Sequence, residues 1–292
     1  PYKKNPFDFV LWKPSDPAQP GWDSPWGRGR PGWHIECSAM SGRYLGETFD
    51  IHGGGQDLIF PHHENEIAQS EGASGQPMAQ IWAHNEMIEL GGKMSKSDGN
   101  IVLLRDALDR WGRDVILVFT LRTHYRSKLP LSDAGLQDAA NQVETLRNAA
   151  RALRRAAAAP GDTLNEELAE AVVVARTAFV TALDDDFNTP RAFAAVFELI
   201  RAINRALEVE ARPNGGQLAA VTAELAQLLD MLGLAGLMNE DVVPDDLMEM
   251  ARARDAARAA RDFGEADRLR DLIEGAGFVV RDTPDGPEVT PA

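Results

Sequence analysis

The chain has 292 residues, of which 44% are hydrophobic, and it carries a formal net charge of −15. This length and this apolar fraction are sufficient for two or three globular domains with buried cores. The acidic balance argues against broad, nonspecific binding of nucleic acid, which needs clustered Lys and Arg. Any contact with nucleic acid must therefore be local and directed by shape.

The sequence has no apolar run long enough for a membrane span, and its first residues lack the apolar core of a signal peptide. Its single cysteine cannot form an internal disulfide, which agrees with a reducing compartment. We therefore expect a cytoplasmic protein without a membrane partner. Because the chain starts with Pro1 rather than Met, we also expect that an N-terminal part is missing.

The first third of the chain predicts short strands, loops and one helix. Residues 1–32 are rich in Pro, Gly and Trp, which predicts a long irregular loop after a short apolar strand at 8–12. Helical spacing of apolar residues predicts a helix at 33–45. A short strand at 48–52 then ends in three glycines, Gly53 to Gly55, which let the backbone approach a ligand closely.

A second helix is predicted to open at Asp57, with Pro61 in its first turn, and residues 81–90 predict a largely buried strand. Strand, helix and strand in succession favour a doubly wound α/β sheet. Ligands of such sheets bind beyond the carboxyl ends of the strands. Both His52, with the glycines after it, and the loop after Leu90 fall at that end.

Three residues of this region have the chemistry of a metal site. His62 and Glu66 are four residues apart in a predicted helix, so their side chains leave the same face. Cys37 is the natural third ligand, because a thiolate, an imidazole and a carboxylate all bind Zn²⁺. The alternative is a buried free cysteine beside a solvated helix face, since this spacing without paired cysteines is a weak signal.

The most specific string in the chain is the loop GGKMSKSDGN, residues 91–100. Its Lys93 to Ser97 segment resembles the second signature of class I aminoacyl-tRNA synthetases. Lys93 and Lys96 on a loop flanked by glycines can close over a triphosphate and offset the charge that develops on it. The alternative is an ordinary basic loop.

The second half of the chain predicts mostly helix. After two helices within 103–121, the long helices are expected at 133–158, 164–183, 190–211 and 217–234. An antiparallel bundle is the expected product, either as a structural spacer or as an RNA-contacting surface. After an acidic connector at 239–246, the tail predicts helix, turn, helix and strand.

The strings GWHIECSAM, DIHGGG, FPHHENEIAQSE and KMSKS, in this order and spacing, resemble the cysteinyl-tRNA synthetase family. The resemblance extends over essentially the whole chain and implies a fold of the α/β plus all-α class. It implies the C-terminal part of a Rossmann-like class I catalytic domain, an antiparallel helical bundle and a small α/β anticodon-binding domain. The expected segments are 1–104 for the catalytic part, 105–132 for stem contact, 133–236 for the bundle and 247–292 for anticodon recognition.

The resemblance also implies roles for individual residues. One Zn²⁺ ion would bind the thiolate of substrate cysteine and be held by Cys37, His62 and Glu66. The amino-acid pocket would be lined by Trp33, His52 and Asp57, for which a core Trp, a satisfied loop His and a helix-capping Asp are equally good alternatives. His34 and His63 are interpreted as structural residues or as support for the metal-bearing face.

Further roles implied by the resemblance concern ATP and tRNA. ATP, with Mg²⁺, would be bound by Gly54, Met94, Ser95 and Lys96, and catalysis would depend on Lys93 and Lys96. tRNA(Cys) would be contacted by Arg258, Phe263, Asp267 and Asp282, where Phe263 replaces the tryptophan expected in the family.

The implied activity is that of a cysteine–tRNA ligase: L-cysteine is activated by ATP to cysteinyl adenylate and then transferred to tRNA(Cys). The chain lacks the first class I signature and the family's upstream cysteine ligand, so we expect it to be inactive or impaired alone, and monomeric. One alternative is the related cysteine ligase of mycothiol synthesis, which shares the zinc and KMSKS site. The other is a noncatalytic tRNA-binding fragment.

Overall fold

The computed structural model describes residues 3–89, 103–209, 212–239, 243–283 and 286–291. The chain divides into two compact units. The first comprises Pro1–Thr145 and Glu166–Ala202, and the second comprises Leu146–Asn165 and Ile203–Ala292.

The first unit begins with an antiparallel pair, β1 (Trp12–Pro14) and β2 (Gly29–Pro31), which closes the Pro- and Gly-rich loop at its base. The strand predicted at 8–12 therefore lies a few residues later. Helix α1 (Trp33–Leu45) has the predicted bounds. Strand β3 (Phe49–Gly55) includes the glycines that were expected to follow it.

Between β3 and helix α2 (Glu64–Ser74), the chain does not form the single helix predicted from Asp57. A short helical turn at 56–58 is followed by Phe60, whose backbone is extended at φ −134 and ψ 131. The residue before a proline avoids the helical region, so Pro61 accounts for this interruption. The following turn then runs through His62 and His63 into α2.

Strand β4 (Ala79–Asn85) pairs in parallel with β3, and α2 is the crossover between them. The described part of the strand predicted at 81–90 is two strands, because the chain leaves β3 after Asn85 and β5 (Ile88–Glu89) pairs with β6 (Leu129–Pro130). A small core under β3 and β4 consists of Phe49, Met78 and Ala79, with Trp82 against it.

Helices α3 (Leu104–Trp111) and α4 (Arg113–Leu121) follow. The four long helices are α5 (Asp133–Ala158), α6 (Glu166–Asp184), α7 (Thr189–Glu208) and α8 (Gly215–Met231). Each lies within a few residues of its predicted bounds, because apolar residues recur along it at helical spacing. In α8, for example, Val221, Leu225, Leu228 and Leu229 are all buried.

The last part of the second unit contains α9 (Asp245–Ala259), α10 (Phe263–Gly275), β7 (Phe278–Thr283) and β8 (Gly286–Pro291). Strand β8 was not predicted, and it forms an antiparallel hairpin with β7. Buried apolar residues from all four elements form one small core: Leu247, Ala251, Ile273, Val280 and Val289.

Candidate functional site

Three residues from two helical segments meet at one point. Cys37 of α1, His62 before α2 and Glu66 of α2 each place one possible ligand atom within 4.8 Å of the others. His62 Nε2 lies 3.2 Å from Glu66 Oε1. In a tetrahedral zinc site with bonds of about 2.0–2.1 Å, nitrogen and oxygen ligands are about 3.3 Å apart. The structure therefore brings together the three predicted ligands at a separation that suits zinc.

The Glu66 carboxylate is fully buried, and neither of its oxygens accepts a hydrogen bond from a nitrogen or oxygen of the described residues. His52 Nε2 and His62 Nε2 lie 3.0 Å and 3.2 Å from these oxygens, but neither contact has hydrogen-bond geometry. A buried carboxylate without a donor is costly unless a cation satisfies it. The donor set and this unsatisfied charge together fit a bound Zn²⁺.

The chemistry of Cys37 depends on the same carboxylate. Burial, and then the charge of Glu66, raise the pKa of the Cys37 thiol to about 11. Without a cation the thiol is therefore protonated at neutral pH. Since metals bind the thiolate, binding at this site would release the proton, and the charge of the ion would replace the repulsion between thiolate and carboxylate.

Two aromatic neighbours orient His62. Its Nδ1 lies 2.8 Å from His34 Nδ1, so one ring nitrogen is engaged on that side and Nε2 is left facing Glu66. The ring of Trp33 stacks on that of His62, with centroids 4.5 Å apart. Contacts of this kind fix the ring orientation of metal-binding histidines.

A second group shares the same carboxylate. His52, His63 and Glu66 also place ligand atoms within 4.8 Å of one another. His63 Nδ1 lies 2.8 Å from His84 Nε2. Burial, and then the neighbouring histidines, lower the pKa of His63 to about 4, so its ring is neutral at pH 7.

Sequence reasoning missed His84 and Trp82, which complete this cluster from β4. The ring of Trp82 lies with its centroid 4.7 Å from that of His52. The β3–β4 register places His52 beside Trp82 and Gly54 beside His84. The strand predicted at 81–90 did not mark His84 as a ligand-side residue, whereas the observed β4 ends at Asn85 and so puts His84 at the carboxyl end, where ligands of such sheets bind.

The glycines after His52 have a local explanation. A Cβ at Gly54 would lie 2.8 Å from the ring of His63, and one at Gly55 would collide with the Asp57 carboxylate. The cluster therefore needs the space that glycine leaves. Contacts of Gly54 with ATP and of Asp57 with the substrate ammonium stay predictions.

The predicted signature residues Lys93, Met94, Ser95 and Lys96 lie outside the described residues. Strand β5 ends before them at Glu89, and α3 begins after them at Leu104.

The residues predicted to contact tRNA all lie in the last part of the second unit. Asp282 of β7 forms ion pairs with Arg258 and, at 2.6 Å, with Arg254. Asp267 lies 3.2 Å from Arg270. Phe263, at the start of α10, is 61% exposed, so its ring is accessible from solvent. Arg258, Asp267 and Asp282 are instead engaged in ion pairs.

No helix in the described part of the chain is both long and apolar enough to cross a membrane. Localisation in the cytoplasm stays a prediction.

Three family models match the chain. Residues 1–141 match the tRNA synthetases class I (C) catalytic domain, and residues 178–236 match the DALR domain. Residues 243–289 match the cysteinyl-tRNA ligase anticodon binding domain.

Relatives named as cysteine–tRNA ligases show the same likeness. The chain is 45% identical to the cysteine–tRNA ligase of Geobacter sulfurreducens over 97% of the chain and 63% of the relative. It is 45% identical to that of Symbiobacterium thermophilum, over 97% of the chain and 61% of the relative. The chain thus spans a little under two thirds of the length of these relatives.

A solved structure supports the fold. The LeuRS of Agrobacterium radiobacter, in a ternary complex with tRNA and LeuAMS, matches 76% of the chain and 34% of its own length. The TM-score is 0.55 at 17% sequence identity, so the likeness concerns the fold alone. Together with the family models, it confirms the predicted α/β plus all-α class.

Proposed function

Because the chain belongs to the cysteinyl-tRNA synthetase family, we propose that it supplies the cysteine-selecting and tRNA-binding parts of a cysteine–tRNA ligase. In this reaction ATP and L-cysteine give cysteinyl adenylate and pyrophosphate, and the acyl group then passes to tRNA(Cys). The observation that carries the proposal is the buried Glu66 carboxylate, which accepts no hydrogen bond from a nitrogen or oxygen of the described residues and faces Cys37 and His62.

In this proposal the Cys37 thiolate, His62 Nε2 and the Glu66 carboxylate hold one zinc ion. Bound Zn²⁺ supplies a position that prefers a thiolate sulfur to a hydroxyl oxygen, which favours cysteine over serine. Trp33 covers one face of the His62 ring and forms a wall beside this position. His34 holds the His62 ring in the orientation that leaves Nε2 free for the ion.

The remaining roles follow the sequence predictions. Asp57 binds the substrate ammonium, because a carboxylate is the natural partner of a charged amine. Lys93 and Lys96 offset the negative charge that develops as pyrophosphate leaves. Mg²⁺ accompanies ATP, since the cation screens the phosphates.

The match of residues 243–289 to an anticodon binding domain favours the tRNA enzyme over the cysteine ligase of mycothiol synthesis. A ligase that joins cysteine to an amino sugar has no need of an anticodon-binding unit. The other alternative is a noncatalytic tRNA-binding fragment, and a measurement of activity distinguishes it from the proposal.

The test uses this chain alone and fused to the upstream part of the Geobacter sulfurreducens ligase, which supplies the length that the chain does not span. We expect one zinc ion per chain in both proteins and cysteine-dependent ATP–pyrophosphate exchange in the fusion. Binding of tRNA(Cys) without exchange in a zinc-loaded fusion would favour the binding fragment and overturn the catalytic proposal.

Substitution of Phe263 by Ala is expected to weaken tRNA(Cys) binding by about 10-fold, because stacking of one base on an aromatic ring contributes about 1–3 kcal/mol. The ring is exposed, so the melting temperature should not change. Filter binding measures the affinity, and Leu272→Ala, an exposed position on the same helix, is the control. Equal affinities of the Phe263 and Leu272 variants would exclude a stacking role.

A further inference from the structure

The turn between α6 and α7 has an unusual backbone. Asp186 and Phe187, which are consecutive and are not glycines, have φ values of +56 and +51. Residues other than glycine are uncommon in this region, although Asp adopts it more readily than most, and two of them in succession depend on the contacts that surround them. The contacts of Asp186 therefore need an explanation beyond the connection of two helices.

The Asp186 carboxylate binds two residues that are far away in sequence. Arg126 Nε donates to Oδ2 at 2.5 Å and Arg126 Nη2 donates to Oδ1 at 3.1 Å. The hydroxyl of Tyr125 donates to Oδ1 at 2.6 Å. The hydrogen bonds from Arg126 and Tyr125 lower the pKa of Asp186 to about 2, so the carboxylate is charged at neutral pH. A two-pronged Arg–carboxylate pair also fixes direction.

The segment that contains Tyr125 and Arg126 is itself bonded to the chain that follows β4. Glu86 N donates to Tyr125 O at 2.7 Å, and Leu131 N donates to Glu89 O at 2.8 Å. The ammonium of Lys128 lies 2.6 Å from Glu89 Oε1. The chain is thus bonded at Glu86 and at Glu89 to the segment 125–131, which contains Arg126.

The segment 86–89 follows the histidine cluster directly in the sequence. Glu86 is two residues after His84, whose Nε2 lies 2.8 Å from His63 Nδ1. Burial, and then the charge of Arg126, lower the pKa of His84. A displacement of Arg126 and Tyr125 would therefore reach the cluster around Glu66 through a few bonded contacts.

We propose that Asp186 is a positioning residue for cysteine activation: through Tyr125 and Arg126 it holds the segment 86–89, and with it His84, in place. The residue lies in the stretch that matches the DALR domain, whereas Tyr125 and Arg126 lie in the stretch that matches the catalytic domain. The DALR domain then contributes to the first chemical step. This inference rests on the proposed function.

The first test needs no activity and uses this chain as it is. Asp186→Asn removes the charge that pairs with Arg126 and keeps an oxygen that accepts from Tyr125. We expect about 10-fold faster hydrogen exchange at the amides of Glu86 and Leu131, because their partner segment is released. The control is Asp185→Asn in the same turn, whose carboxylate pairs with Arg191 at 3.1 Å. Unchanged protection in the Asp186 variant overturns the proposal.

The second test measures ATP–pyrophosphate exchange in the fusion described above. Asp186→Asn is expected to lower kcat about five- to tenfold with the KM for ATP unchanged, since the residue touches no substrate. Asp186→Glu keeps the charge, so its kcat should lie between those of Asp186→Asn and the parent. Tyr125→Phe should lower kcat less than Asp186→Asn does. A purely structural role would lower the melting temperature and the amount of active enzyme instead.

The outcomes separate the two proposals. If the unsubstituted fusion shows no exchange, the proposed function fails, and the amide protection still shows whether Asp186 holds the segment 86–89. If amide exchange accelerates while kcat is unchanged, the positioning role in catalysis is overturned. If Asp186→Asn unfolds the whole chain, the Asp186→Glu and Tyr125→Phe variants decide by the same two readouts.

Discussion

Substitution of Glu66 by Gln is expected to abolish zinc binding to this chain and the stabilisation that zinc confers. The side chain keeps its shape but loses the charge that faces the Cys37 thiol and the His62 ring. A ligand present at 100 times its Kd stabilises the folded state by about 2.7 kcal/mol. The Glu66 variant should gain no such stabilisation from zinc. Because the carboxylate is buried without a nitrogen or oxygen donor among the described residues, the metal-free variant should melt no lower than the metal-free parent.

Zinc content by elemental analysis and melting curves with zinc or with a chelator measure both effects. Glu64→Gln is the matched control, since it changes an exposed carboxylate one half-turn earlier on the same helix. The control should bind zinc as the parent does. A Glu66→Gln chain that retains one zinc ion, or whose metal-free form is strongly destabilised, would show that Glu66 is a structural carboxylate rather than a ligand.

The sequence predicted the contact between His62 and Glu66 because it depends on local helical geometry. A spacing of four residues in a helix brings the two side chains together independently of the rest of the chain. The interruption at Phe60 lies before this stretch and leaves the spacing intact. The bounds of α1 were predicted for the same reason, since a repeating apolar pattern over one helix is local information.

Contacts between distant segments could not be predicted in this way. His84 joins the cluster because of the β3–β4 register, and the sequence does not specify a parallel register locally. Strand β8 is stabilised by its pairing with β7, whereas its own sequence is rich in turn-forming residues. Helices α5 and α6 lie between Arg126 and Asp186 in the sequence, and the attachment of these two residues to each other leaves no pattern in it.

The predicted tRNA-contacting residues show the same limit. Arg258 and Asp282 were assigned to base recognition by resemblance, and the structure places them in an ion pair with each other. Whether either also contacts RNA stays a proposal. Phe263 remains the most direct test, because its exposed ring is available to a base without breaking an internal contact.

Substitution of Lys96 by Ala, in the fusion with the upstream part of the Geobacter sulfurreducens ligase, is expected to lower cysteine-dependent ATP–pyrophosphate exchange about 100- to 1,000-fold. Loss of one preorganised group that stabilises transition-state charge has an effect of this size. The zinc content should be unchanged, because the three proposed ligands are Cys37, His62 and Glu66. The loss would therefore distinguish a defect of the phosphate-binding loop from a defect of the metal centre.

The step affected identifies the role of Lys96. Transfer of the acyl group from supplied cysteinyl adenylate to tRNA(Cys) should proceed at nearly the parent rate, because pyrophosphate has already left. Lys4→Ala, which removes an exposed lysine near the start of the chain, is the control for the change in net charge. A loss confined to the transfer step would assign Lys96 to tRNA binding instead, and an equal loss in both steps would indicate a general defect of the site. An unchanged exchange rate would mean that the KMSKS string is an ordinary basic loop in this protein.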